Sequence, residues 1–405
     1  MFGFLRLNAP WLAAGALLTL MSSFGQTFFI SIFAAHIQRD FGLSHGQWGA
    51  MYSLGTAASA GVMIWAGGLT DLFRVRALGP AVLAVLALAC LAMAINPYVW
   101  ALPLVIFALR FAGQGMSSHI AIVAMARWFV ATRGRALAIA TLGFSVGESF
   151  LPLGFVALLP VVGWRGLWVV AAVVALSAIP LLTRLLRRER RPQSMVHENQ
   201  SLGMGGHHWS RRQSLRHPLF WFIIPALLGP SAFNTAFFFH QVHFAGLKGW
   251  SHLQLVAMFP VYTAVAIAAM VGSGWALDRW GTRRLMPFYL LPMVVAFGFF
   301  SQGETLAAAL TGFVFLGLTT GANATLPAAF WAEFYGTRHI GAIKAMAAAV
   351  MVLGSAIGPA VTGLLIDGGI GLESQYLGVS GFFLFASAMT WIGLKRFGGA
   401  LTLAL

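Results

Sequence analysis

What most constrains this chain is where it carries no charge. No Asp, Glu, Lys or Arg occurs from Leu7 to Gln38, Phe41 to Thr70, Ala77 to Leu109, Pro218 to Leu247 or Gly249 to Leu277. The same holds from Leu285 to Gly303, Thr305 to Ala332, Ala345 to Ile366 and Ser374 to Leu394. A helix crossing a bilayer takes about 20 mainly apolar residues, whereas barrel strands alternate over about 10. Runs of this length fit helices. Only 9% of the 405 residues are charged and 59% are hydrophobic, against about 25% charged in soluble domains. There is too little polar surface to coat a soluble particle, which excludes a cytosolic enzyme, a nucleic-acid-binding protein and a disordered scaffold together. The chain reads as an all-α polytopic membrane protein.

Twelve transmembrane helices are predicted, at roughly 9–35, 45–70, 76–95, 98–128, 134–160, 163–187, 218–247, 251–277, 284–302, 304–331, 340–366 and 372–397. The net charge of +15 is explained by its distribution. All but four of the 25 Lys and Arg residues fall in the even-numbered connections, the central connection or the two tails. The exceptions are Arg39, Arg165 and Lys248 at the opposite ends of the helices, and Arg110 inside the fourth. The positive-inside rule makes the crowded face cytoplasmic. Both termini are therefore expected in the cytoplasm, with the protein in a bacterial-type inner membrane, and the basicity is topology rather than affinity for nucleic acid. The apolar stretch after Arg6 is too long for a signal-peptide core of about 7–15 residues and reads as the first span. Cys90 is the single cysteine, so no internal disulfide can form.

The sequence repeats itself at about half its length. Gly42, Ser44, His45, Gln47, Ala50 and Met51 recur 207 positions later as Gly249, Ser251, His252, Gln254, Ala257 and Met258. Gly67-xxx-Asp71-xxxx-Arg76 recurs at the same offset as Gly274-xxx-Asp278-xxxx-Arg283. Ser23, Gln26, Thr27 and Phe29 match Ser231, Asn234, Thr235 and Phe237, and Phe129, Thr132 and Arg133 match Phe334, Thr337 and Arg338. Four matches in order define two parallel repeats. The expected organisation is a six-helix bundle over 1–187, a cytoplasmic linker over 188–217 and a second six-helix bundle over 218–405, the two bundles pseudo-symmetric. The linker is rich in Arg, Ser, Gly and His and reads as a flexible tether whose cations can touch anionic lipid. His207 and His208 lack further ligands at useful spacing, so no metal or cofactor is expected.

Twelve spans in two parallel halves, with the loop Gly67-Gly-Leu-Thr-Asp71-Leu-Phe-Arg74-Val-Arg76, resemble the major facilitator superfamily. Gly274-Trp-Ala-Leu-Asp278-Arg279-Trp-Gly281-Thr-Arg283-Arg284 is similar to the family's second copy of that loop, between helices 8 and 9. Arg74 stands where the family pattern has glycine. Arg110-Phe-Ala-Gly-Gln114-Gly115 is similar to the family's helix-4 motif, and Arg127-Trp-Phe-x-x-Thr-Arg133-Gly134-x-Ala136 resembles the monocarboxylate or oxalate/formate-type branch. The resemblance implies that Gly67, Asp71 and Arg76, with Gly274, Asp278 and Arg283, form a conformational latch. Glycine permits close helix approach, and a carboxylate favours the positive start of a helix and pairs with arginine. Helix 11 begins near Ile340 and helix 5 near Gly134, and the acids would hold the halves outward-open. The bland alternative is that these charges only hold topology.

Of ten carboxylates, nine lie in loops or near helix ends, and Glu148 is the exception, near the middle of helix 5. Arg110 is the one cation similarly placed. A charge at mid-membrane costs about 2.5–3.5 kcal/mol or more on insertion scales, which makes such groups functional candidates. An apolar setting can raise a carboxyl pKa by as much as about 3–5 above its ordinary value of about 4.3, within reach of neutral pH. Glu148 and Arg110 are therefore expected to couple transport to protons, against the alternative of a structural pair between helices 4 and 5. In the resemblance, helices 1, 4, 7 and 10 line the cavity. Their mid-helix polar groups are Gln26, Thr27, Gln114, Asn234, Thr235 and Asn323, which with Arg110 form the expected substrate site. His119, His240 and His243 are weaker candidates. Helix 5 lacks the Gly-Pro pair of proton antiporters, having Gly143-xxx-Gly147 before Glu148 and proline only at Pro152, which favours symport.

The expected function is secondary active transport of a small solute, a small organic anion such as a monocarboxylate, by alternating access with proton coupling. The expected partners are that solute, H+ and the lipid bilayer, with the monomer as the functional unit. The alternative is a proton-driven exporter of amphipathic compounds. A membrane receptor or enzyme is a different class; no His-Glu-x-x-His, Gly-x-Ser-x-Gly or Gly-Lys-Ser/Thr arrangement supports it or an ATP-driven pump.

Overall fold

The computed structural model describes residues 2–129, 132–188 and 202–399, with no strand among them. In chain order the α-helices begin with α1 (Phe2–Ser22), α2 (Thr27–Ile30), α3 (Ala34–Phe41), α4 (His45–Ala66), α5 (Leu69–Leu72) and α6 (Val75–Ile95). They continue with α7 (Leu102–Leu109), α8 (Ser118–Trp128), α9 (Arg133–Leu185), α10 (Arg211–Arg216), α11 (Pro218–Phe239) and α12 (Gln241–Leu247). The last are α13 (His252–Val256), α14 (Phe259–Leu285), α15 (Leu291–Gln302), α16 (Leu306–Tyr335), α17 (Ile340–Asp367) and α18 (Leu372–Phe397).

Among the described residues, nine segments are long and apolar enough to cross a membrane. One of them spans 52 residues, Gly134–Leu185. Straight, it would measure about 80 Å at 1.5 Å per residue, more than twice the hydrocarbon thickness of about 30 Å. Gly163 breaks it, at φ 74°, a conformation that glycine reaches without a Cβ penalty. With α4 and α15 added, the helix order is consistent with twelve crossings. Leu88, Ile95, Leu104, Val161, Val271 and Leu364 are exposed large apolar side chains on these helices, as lipid-facing positions require.

The chain divides into two compact units, Met1–His197 with Phe238–Ala257, and Glu198–Phe237 with Met258–Leu405. The division therefore differs from the sequence midpoint: the segment after α11 belongs with α1 to α9. The cause is local. Helix α11 ends at Phe239, His240 interrupts it, and Gln241, fully buried, donates to the Phe28 carbonyl at 3.1 Å and to Ser31 Oγ at 2.7 Å. Ser31 Oγ in turn donates to the Phe238 carbonyl at 2.6 Å.

Corresponding contacts recur at positions that the sequence repeat pairs. Ser44 and Ser251 each close a capping box, with Gln47 and Gln254, which satisfies two orphan N–H groups at a helix start. In the first unit Arg76 donates to the Arg187 carbonyl past the end of α9, at 3.4 Å. In the second, Arg283 donates to the carbonyls of Leu394 and Gly399 around the end of α18, at 3.4 and 3.3 Å. Both put a cation on the negative end of a helix. A methyl on Gly143 or Gly147 would collide with Ala16 or Ser23 of the first helix, and a methyl on Gly354 or Gly358 with Leu228 or Ala232 of α11. The bare faces of Gly143, Gly354 and Gly358 let these helices approach backbone to backbone, as membrane packing favours.

The first predicted helix is not continuous. After Ser22 the chain makes a 3-10 turn (Ser23–Gly25), Gln26 is extended at φ −88°, ψ 155°, and helix resumes at Thr27. The linker differs from expectation too. Trp209 donates its backbone N–H to the Tyr335 carbonyl at 3.0 Å, its ring packs edge-on to Tyr335, and Ser210 caps α10 with Gln213. This part of the linker is anchored on the end of α16 by one aromatic residue in a polar stretch; residues 189–201 lie outside the described residues.

Candidate substrate site

In the first unit, the site is built where α1 unwinds. Arg110 begins a π-helical stretch, Arg110–Ser117, between α7 and α8. Ser117 Oγ donates to the Ala112 carbonyl five residues back, at 2.7 Å, stabilising the wide turn; π-segments of this kind concentrate at functional sites. Gly113 lies directly against Gly25, where a methyl would sit 2.6 Å from the Gly25 Cα. This approach brings the Arg110 side chain, 1% exposed, onto the unwound turn. Its Nη1 donates to the freed Gly25 carbonyl at 3.1 Å and to Thr27 Oγ1 at 3.4 Å. Thr27 Oγ1 also shares a 2.6 Å hydrogen bond with the Tyr52 hydroxyl, and the guanidinium carbon lies 5.4 Å from the Tyr52 ring centre. Among the described residues, the partners of this buried cation are thus neutral oxygens and a ring face, and its Nε–H has no acceptor.

Of the other expected residues in this unit, Gln26 occupies the extended link and is half-buried, and Gln114 lies in the π-stretch with its side chain exposed. Glu148 is half-buried on α9. Tyr52 escaped the sequence reading. It is fully buried, and the signal that could have found it was a hydroxyl-bearing ring within a small, apolar helix.

In the second unit, Asn234, Thr235 and Asn323 come together with Pro230, Ser231, Met293 and Thr320 around a cavity of about 150 Å3. Asn234 Oδ1 is buried without a hydrogen-bond partner among the described residues, and such a group costs free energy unless something donates to it. Thr320 accepts from the Tyr262 hydroxyl at 3.3 Å. Ser231, Met293 and Thr320 were not read from sequence, because nothing local marks which face of a helix turns inward.

Each repeated loop lies beside cations of its own unit. Asp71, on α5, forms an ion pair with Arg127 at the end of α8, which also donates to the Thr70 carbonyl at 2.7 Å. Glu333, 206 positions after Arg127, ties the end of α16 to the second loop by accepting from the Thr282 hydroxyl and, at 3.4 Å, from its backbone N–H. Gly67 is close to His119, whose Nε2 is 3.2 Å from the Gly67 carbonyl oxygen. Gly274 has open space beside it, and Asp278 is exposed. The Arg133 side chain lies outside what the structure describes.

A helical membrane protein of this architecture, with a duplicated helix order and polar groups at broken mid-helix positions, belongs to the class of solute carriers. The sequence profile of the Major Facilitator Superfamily matches residues 15–359 and 261–401, and the chain is a member of that family of transporters. No curated protein sequence matches it. Among solved structures, it is similar to a bacterial homolog of the human lysosomal transporter Spinster, in an inward-facing and occupied conformation. That match has a TM-score of 0.74 at 16% identity, covering 95% of this chain and 96% of that one. The same homolog, inward-facing and unoccupied, gives 0.72 at 16% identity with 96% and 97% covered. The nucleoside transporter NupG gives 0.70 at 13% identity, with 95% and 99% covered. Likeness at these identities is likeness of fold.

Proposed function

We propose that the protein is a secondary active transporter of a small organic anion, moving it by alternating access in symport with protons. The observation that carries the reading is Arg110. A fully buried guanidinium whose described partners are neutral has an uncompensated charge, and buried charge is strongly destabilising until paired. A carboxylate arriving beside it supplies the counter-charge and an acceptor for the idle Nε–H. The unwound turn supplies the rest of this site, with Gln26 and Thr27 beside it; Asn234, Thr235 and Asn323 line a cavity of their own within the second unit. Midplane sites at broken helices are the general arrangement in carriers built of repeats.

Glu148 is the proton carrier in this reading, and the loops carrying Gly67, Asp71 and Arg76 and Gly274, Asp278 and Arg283 form the latch between conformations. Positive-inside orientation places both termini in the cytoplasm, and the monomer carries the complete path. The experiment is uptake of labelled monocarboxylates, nucleosides and lipophilic cations into proteoliposomes, with and without an inwardly directed proton gradient. Gradient-stimulated uptake of a monocarboxylate, lost in Arg110→Ala, is the expected result. Transport of the cations or nucleosides with no carboxylate flux would overturn it.

A further inference from the structure

The end of the first unit opposite the cation-rich loops holds a second candidate site, with no Arg110 in its lining. Helix α3, the start of α4 and the segment around α12 enclose a cavity of about 480 Å3, lined among others by Gln38, His45, Trp48, Phe239, His240 and His243. The His45 ring centre lies 4.3 Å from that of His243 and 6.1 Å from that of His240. Gln38 Nε2 and His45 Nδ1 are 3.2 Å apart. Trp48 stacks on Phe239 with ring centres 5.5 Å apart. Trp48 is 1% exposed, and its indole N–H has no acceptor among the described residues. The three imidazoles do not converge as a metal site: among the described residues no group of His, Cys, Asp and Glu does.

We propose that this cavity binds a small carboxylate with an apolar or aromatic tail, as an outer capture site for the transported anion. The donors are the imidazoles, the Gln38 amide and the Trp48 indole N–H, and the Trp48–Phe239 stack takes the tail. Pockets of this size with aromatic walls and a few converging polar groups are the common form of small-molecule sites. The charges around it have the matching sign. Arg39 follows Gln38, and Lys248, buried at 8% exposure, follows the lining residue Leu247. Arg165 lies 3.9 Å from Asp40, which is the acid of this group and is also bonded by Trp164 and Arg39. These are the three cations at this end of the helices in the sequence, and all belong to this unit. His36 and His252 face a neighbouring cavity across Val242.

The cluster also ties binding to pH. His243 lies beyond the end of the α11 span. Burial, reinforced by the nearby His45, lowers its pKa from 6.5 to about 4, so the His243 imidazole is neutral at pH 7 in the empty site. A bound carboxylate favours the protonated imidazole, so the proton binds more tightly to the occupied site. Affinity therefore rises as pH falls through the occupied-state pKa and levels off only near the empty-state value.

The identity of the ligand rests on the organic-anion reading, and two readouts separate them. [14C]Benzoate binding to the full chain in nanodiscs, from pH 5.5 to 7.5, reads the cavity; proteoliposome uptake reads transport. The expected result is affinity about tenfold higher at pH 5.5 than at 7.5, and a flattened pH profile in His243→Gln, the signature of one linked proton. His45→Gln and Trp48→Phe should each weaken binding about tenfold, in line with loss of one hydrogen bond to a charged group, whereas Arg110→Ala should abolish uptake and leave this binding. No benzoate binding by the wild type at any pH, or equal affinity in a folded His45→Gln/His243→Gln variant, would overturn the proposal. Binding without carboxylate uptake would sink the transport reading alone.

Discussion

Gly25→Ala tests the central geometry most directly. The new methyl would lie 2.8 Å from the Gly113 Cα and 2.9 Å from the Gln114 backbone nitrogen, and closer still to the Leu109 carbonyl. Real Cβ contacts do not come under 3.0 Å, and these neighbours are backbone, which has no rotamer to yield. The unwound turn must move off the π-stretch by about half an ångström or more. Overpacking of this kind costs about 1–3 kcal/mol. The displacement also stretches the 3.1 Å bond from Arg110 to the Gly25 carbonyl, and a hydrogen bond to a charged group contributes about 1.5–3 kcal/mol. Together they predict destabilisation of about 3–5 kcal/mol. Gly113→Ala attacks the same contact from the other side, with its methyl 2.7 Å from the Gly25 nitrogen. The two should be strongly non-additive, because they break one contact. Gly61→Ala, with open space around it, is the control. Thermal unfolding of detergent-purified variants, read with carboxylate uptake, makes the measurement. Wild-type melting and transport in Gly25→Ala would refute the account of how Arg110 is held.

Three further outcomes follow from the described contacts. Asp71→Asn should change stability by less than about 1 kcal/mol, since its pair with Arg127 is solvent-exposed at 64% and 42%; a transport defect in a variant with unchanged melting would mark the pair as conformational. Glu148→Gln should abolish stimulation of uptake by a proton gradient while preserving exchange of internal for external substrate at equal pH; uptake still driven by the gradient would remove Glu148 from the proton path. Cys90, 0% exposed on α6, should resist maleimide in the folded protein and react only after denaturation, because thiol reactivity requires access as well as the thiolate.

Much of the architecture is legible in one dimension, and particular residues show why. The 207-residue offset predicted that Ser44 and Ser251 occupy equivalent places, and both prove to be N-caps with the same partner at the third position. Arg76 and Arg283 were paired by the same offset, and both bind helix-end carbonyls. The expected substrate residues Asn234, Thr235 and Asn323 meet at one cavity. The tertiary partners were not legible. The sequence marked Arg110 as a cation inside a helix but not the groups that hold it, which are Gly25, Thr27 and Tyr52. Trp209, within an apparently unstructured linker, anchors that segment to Tyr335.

What sequence alone determined, then, is that the chain is helical and apolar enough to span a membrane, and that its caps and loops repeat. A bilayer forces each spanning segment to satisfy its own backbone and to be apolar along its own length, so the constraint is written locally and can be read locally. Where the first helix unwinds, which carbonyl receives the buried guanidinium, and that the segment after α11 joins the first unit were decided only by packing. Those outcomes depend on which faces meet, between residues 85 and 213 positions apart, and no local pattern encodes a distance between helices.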